Sequence, residues 1–207
     1  MEIHEGRRIF LISWDFSSLV IDTLCKQAVE GNSVVACFYF DIADQEEQSA
    51  AAVLGSVLKQ VVGGLDKFPE GIVKAFRNRE RVVGGERLSL EEIVELLQDI
   101  TSTQCTFICL DALDECAPGY RVELLDSLNQ ISQESGSVGI FLTGRPHIRG
   151  EIDKHLAGRA TTRPIIPAKD DIIIFLRAKL KEDTIPEMDE SLQEEIIKNI
   201  LETVSEM

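Results

Sequence analysis

Apolar residues fall along this chain in two alternating kinds of run. Four short unbroken runs, IFLIS (9–13), SVVACFYF (33–40), CTFICL (105–110) and VGIFL (138–142), are rich in β-branched and aromatic residues. Such runs predict strands buried on both faces. Between them the spacing turns helical. Leu19, Val20, Thr23, Leu24 and Ala28 recur at helical intervals and predict a helix over 17–30, stopped at Gly31. A second helix is predicted over 49–62, ended by Gly63 and Gly64, and a shorter one over 70–79. Ser89-Leu90-Glu91-Glu92 has the form of a capping box, in which serine and glutamate each satisfy a first-turn N–H, and it opens a helix to about Ser102. Residues 121–133 are amphipathic. Strands alternating with helices predict an α/β fold, a parallel sheet sandwiched by helices.

After about Ile166 the pattern changes. Residues 170–180 and 190–206 read as helices with no strand between them, and 170–207 carry 11 acidic residues against 4 basic ones. The chain therefore divides into a core over 1–165 and, over 166–207, the beginning of a helical subdomain cut short, with the boundary near Pro164 to Ala168. Leu192, Ile196, Ile200 and Val204 form an apolar stripe along the last helix, expected to pack on the domain or to pair with another chain.

Composition narrows the function classes. A length of 207 residues with 44% hydrophobic content is enough for one domain and the start of another. The net charge of −15 repels phosphate backbones and anionic membrane, so neither nucleic acid nor membrane is an expected partner. No apolar stretch approaches the ~20 residues of a membrane span, and no signal peptide is visible. The expected location is intracellular, in the cytoplasm. The cysteines, Cys25, Cys37, Cys105, Cys109 and Cys116, lack paired metal-ligand spacing and read as reduced, buried apolar thiols. His4, His147 and His155 are expected at the surface or in structural roles, with no carboxylate or cysteine partner.

In a parallel sheet, function gathers at the carboxyl ends of the strands. The run FICLDALDE brings Asp111 to such an end, with Asp114 and Glu115 just beyond. This is the Walker B arrangement: one carboxylate suits magnesium, which takes hard oxygen ligands, and another can orient or deprotonate an attacking water. The plain alternative is a solvated acidic turn. The run FLTGRP ends the next strand in Thr143, Gly144 and Arg145, and an arginine there can sense or stabilise phosphate charge; the alternative is a surface loop arginine.

Taken together, FYFDIADQ (38–45), FICLDALDEC (107–116), IFLTGRPHI (140–148) and DDIIIFLRAKL (170–180) resemble the NACHT domain, a STAND-class P-loop NTPase, of fungal NOD-like receptors and the nephrocystin-like N-terminal NTPase domain. In that family such domains often precede ankyrin or other repeats. The resemblance implies a switch that binds ATP or GTP with magnesium, hydrolyses it slowly and signals by oligomerising. It implies Asp111 as the magnesium aspartate, Asp114 and Glu115 as the acidic pair near the water, and Arg145 as the sensor arginine. Protein partners or self-association through helical and acidic surfaces are the expected contacts.

One element of the pattern is missing. The family carries GxxxxGK[ST] between the first strand and its helix, a loop whose N–H groups and lysine surround the phosphates. Here Trp14-Asp15-Phe16 leads directly to Ser17-Ser18-Leu19, with no glycine or lysine. Ser17 and Ser18, at a helix N-terminus, retain N–H donors for weak anion binding only, and Asp15 adds a negative charge. The sequence thus reads as a nucleotide-binding domain degenerate at its phosphate loop. A nucleotide-independent interaction scaffold or a truncated gene product is the first alternative, and a metal-dependent phosphohydrolase built on the acidic cluster is the second.

Overall fold

The computed structural model describes residues 9–12, 17–65, 67–69, 71–73, 87–156, 159–163, 169–182 and 190–205. Its elements are β1 (Ile9–Ile12), α1 (Ser17–Gly31), β2 (Val34–Tyr39), α2 (Ala50–Gly63), α3 (Leu90–Thr103), β3 (Thr106–Asp111), α4 (Pro118–Glu134), β4 (Val138–Thr143), α5 (Arg149–His155), β5 (Ala160–Arg163), α6 (Lys169–Glu182) and α7 (Glu190–Ser205). The chain falls into two units, Met1–Pro164 and Ile165–Met207.

Among the described residues, five strands form one parallel sheet in the order β2-β3-β4-β1-β5. Alternation along the strands sorts the side chains onto two faces. Val34, Ala36, Ile108, Leu110, Val138, Ile140 and Leu142 point one way, into a core completed by α2 to α5. Val35, Cys37, Phe107, Cys109 and Phe141 point the other way, against Val20, Ile21 and Leu24 of α1. Helices pack on both faces, most completely over β3 and β4, which is why these strands read as continuous apolar runs. Gly139 lies opposite Phe107 in the register, and a Cβ there would meet the ring at 2.7 Å, so glycine is what lets the aromatic lie across its neighbour.

The helix signals act as the sequence suggests. Ser89 Oγ accepts from Glu92 N, and the Glu92 carboxylate accepts from Ser89 N at 2.8 Å, so both halves of the capping box are made. Ser49 caps α2 through Ala52 N. Of the helix expected over 70–79, residues 71–73 are helical and the rest lie outside the described residues, as do His4 and Pro164 to Ala168.

Several expectations need correction. β5 and α5 are additions to the predicted elements: ATTR has no apolar run, and RGEIDKH keeps only Ile152 buried. Cys25 and Cys105 are exposed, so the reading of buried thiols holds for Cys109 and Cys116, with Cys37 half-buried. His155 does have a carboxylate partner, its Nδ1 lying 2.8 Å from Asp126 Oδ1. On α7, among the described residues, Ile197 is buried, while Leu192 of the expected stripe is 43% exposed. Ile196 and Ile200 of that stripe are half-buried.

Candidate functional site

β3 and β4 are neighbours, with Leu110 opposite Leu142, and their ends bring Asp111 and Thr143 side by side. Thr143 Oγ1 donates to Asp111 Oδ1 and accepts from Ala112 N at 3.0 Å. That second bond helps hold Ala112 at φ 56°, a left-handed conformation that costs a non-glycine residue about 1 kcal/mol. The chain therefore turns sharply after Asp111 and enters a single helical turn, Leu113–Glu115.

Within that turn the two acids face different partners. The Asp114 side chain is only 4% exposed; its Oδ1 accepts from Arg145 N at 3.2 Å and its Oδ2 lies 3.5 Å from Arg145 Nε. Gly144 allows this approach, since a Cβ there would stand 2.8 Å from Ile148 Cδ1 and 3.4 Å from Asp114 Oδ1. Glu115 turns toward the loop after β2: its Oε2 accepts from Ile42 N at 3.2 Å and its carbonyl accepts from Gln45 Nε2 at 2.7 Å. The structure thus joins Asp111 to Thr143 and Asp114 to Arg145, and sends Glu115 to the 42–45 turn.

Beneath the turn lies a residue that sequence reading missed. Arg121 of α4, 7% exposed, donates from Nη1 to the carbonyls of Cys116 at 2.9 Å and Asp114 at 3.3 Å. Its Nε and Nη2 form a fork on the Glu151 carboxylate at 2.9–3.1 Å. Burial pushes the neighbouring Cys116 thiol up to about 11, against the pull of the Arg121 charge. Thr143 was also missed as a site residue. Its only signal was a polar residue closing an apolar strand, whereas nothing in the sequence sets Arg121 apart from other helix arginines.

The first strand completes the edge. Ile12, the last residue of β1, is the register partner of Thr143, and α1 begins at Ser17. Four positions, 13–16, separate strand from helix. The phosphate loop expected in this place needs eight. Trp14, Asp15 and Phe16 lie outside the described residues. Between α1 and the strand ends is a small cleft lined by Val20, Ile21, Leu110, Asp111 and Thr143 among others, none of them a lysine or arginine. Asp111 and Thr143 offer hard oxygens of the kind magnesium takes. Among the described residues, however, no group of three or more metal-ligating side chains could hold an ion. The magnesium donors fit in part; among the described residues, the cleft lining supplies no lysine or arginine to meet a phosphate.

A family model described as nephrocystin 3, N-terminal, matches residues 16–145, from the start of α1 to the arginine beyond β4. The chain belongs to that family. The nephrocystin 3 N-terminal match covers β2, β3 and β4 and the acidic turn, and it starts at the end of the short 13–16 connection. No curated protein sequence matches the chain significantly. Among solved structures, the fold is similar to the Aeropyrum pernix Orc1 protein in a complex with DNA, at 16% identity and a TM-score of 0.52, over 86% of this chain and 44% of that one. It is also similar to a chain of Drosophila ORC bound to AT-rich DNA and Cdc6, at 9% identity and a TM-score of 0.50, over 97% and 74%. This chain spans less than half the length of the Orc1 chain. At such identities the likeness concerns the fold, which is that of P-loop NTPases.

Proposed function

We propose that this chain is a NACHT-type nucleotide-binding signalling domain whose phosphate site is degenerate, so that ATP or GTP is bound weakly and turned over poorly. The observation that carries this is the four-residue link between β1 and α1, beside strand ends that still present Asp111 and Thr143. In this reading Asp111 is the remaining magnesium ligand, and the first-turn N–H groups at Ser17 and Ser18 are the remaining anion donors. Arg145 supplies the sensor charge, Glu115 is the acid closest to a water-orienting role, and Asp114, buried against Arg145, acts by positioning that arginine. Partners are other proteins or further copies of the chain, met through acidic and helical surfaces rather than through nucleic acid. The location in this reading is the cell interior, and no helix among the described residues is long and apolar enough to cross a membrane.

A second reading, a nucleotide-independent scaffold, is favoured by one observation: both acids of the turn are engaged in holding other segments, Asp114 on Arg145 and Glu115 on Ile42 N. ATPase and GTPase assays on the purified chain with magnesium test the proposal. Turnover is expected at background, both in the native chain and in Asp111→Ala. Turnover that is measurable in the native chain and lost in Asp111→Ala would show that the site is intact, and would overturn its degeneracy while leaving the family in place.

A further inference from the structure

Away from the strand ends, two reactive groups meet on the α1 face of the sheet. Cys37 of β2 and Cys109 of β3 are direct partners in the parallel register. Neighbouring strands run about 4.8 Å apart. A disulfide needs Cα atoms about 4.4–6.8 Å apart, and this spacing falls within that range. Both side chains lie on the α1 face of the sheet, in one cluster with Leu24 and Phe141. Cys25 of α1 stands close by and is exposed, Cys37 is half-buried and Cys109 is buried, so the three thiols step from solvent into the sheet.

The backbone of Cys37 is pinned from its other side. β2 is an edge strand, and the Gln60 side chain lies along that edge: its Oε1 accepts from Cys37 N at 2.9 Å, and its Nε2 donates to Cys37 O at 2.8 Å. The amide pairs with both polar groups as a residue of another strand would. It fixes the half-buried cysteine opposite its buried partner, so the pair is held ready rather than assembled by chance.

We propose that Cys37 and Cys109 are a redox-active thiol pair, oxidised by peroxide to a disulfide that joins β2 to β3. The neighbouring Cys109 side chain holds the Cys37 thiol below its ordinary pKa in spite of burial, which makes Cys37 the attacking sulfur. The Cys109 thiol is pushed up by the neighbouring Cys37 side chain and by burial, so it keeps its proton until the second step. Cys37 sulfur attacks one peroxide oxygen, the O–O bond breaks, and the departing hydroxide leaves as water with the Cys37 proton. Cys109 sulfur then attacks the Cys37 sulfenic acid, the S–O bond breaks, and the hydroxyl leaves as a second water with the Cys109 proton. Two thiols are oxidised to one disulfide, and one peroxide is reduced to two waters.

The test treats the folded native chain with hydrogen peroxide, alkylates the remaining thiols, and maps the digest by mass spectrometry. The expected product links the Cys37 and Cys109 peptides, is lighter by two hydrogens, and is reversed by dithiothreitol. In Cys109→Ser the sulfenic acid should persist on Cys37 and be trapped by dimedone; in Cys37→Ser, Cys109 should stay reduced at the same dose. Three results would overturn the proposal: a link between Cys25 and Cys37 instead, Cys37 driven to sulfinic acid while Cys109 stays reduced, or both cysteines untouched at a dose that oxidises Cys25. If a serine variant does not fold, the digest of the native chain decides alone.

Discussion

Arg121→Ala is expected to lower the unfolding free energy by about 3 kcal/mol, the low end of the range for removing one partner of a buried ion pair. Three losses add up at this position. Glu151, one quarter exposed, is left without the fork that holds it. The carbonyls of Asp114 and Cys116 lose their donor, and the space filled by the guanidinium opens between α4 and α5. The charge alone is not what matters. Arg121→Lys keeps it but cannot reach a carboxylate and two carbonyls at once, and should still cost about 1–2 kcal/mol. Urea unfolding of the three proteins, read at constant slope, measures both values. An Arg121→Ala loss below about 1 kcal/mol, the level of an exposed ion pair, would show that the turn after β3 stands without this support.

The second large effect is a gain. Replacing residues 13–16 with an eight-residue GxxxxGKS segment leading into α1 is expected to raise affinity for magnesium ATP by at least about 100-fold, or roughly 2.7 kcal/mol. The magnitude comes from the groups the segment supplies. A hydrogen bond to a charged group is worth about 1.5–3 kcal/mol, and the loop brings several N–H donors, a lysine and a hydroxyl for magnesium. Even two of these contacts exceed the expected gain, which leaves room for the entropy of ordering the loop. Asp111 and Thr143 lie beside the end of β1, and in the proposed reading they would meet the metal. Asp111→Ala in the restored protein should therefore remove most of the benefit. Isothermal calorimetry on the two restored proteins measures this. A correctly folded, loop-restored protein that binds no better than the native chain would mean that the strand ends no longer form a nucleotide site at all.

How much of this was legible in the sequence depends on what holds each segment. β2, β3 and β4 could be read because double-sided burial demands unbroken apolar runs, and α3 because its capping box is local. β5 could not be read: ATTR has no apolar run, and it is held by pairing with β1, about 150 residues earlier in the chain. α5 likewise depends on one buried isoleucine and on Glu151 meeting Arg121. At the site, the position of Asp111 was written in the strand that delivers it. The roles of its neighbours were not. Asp114 and Glu115 are adjacent in sequence, yet the sharp turn at Ala112 points one at Arg145 and the other at Ile42. Contacts across 31 and 73 residues decide that difference, and no local pattern encodes them.

The central claim is that the family's site remains at the strand ends while its phosphate-binding part is gone. Titration of the purified native chain with fluorescent ATP and GTP analogues, with and without magnesium and beside Asp111→Ala, tests it most directly. The account predicts no saturable binding up to about 1 mM nucleotide, a free energy weaker than roughly −4 kcal/mol, and no difference between the two proteins. Micromolar, magnesium-dependent binding that disappears in Asp111→Ala would contradict it and restore a working nucleotide switch.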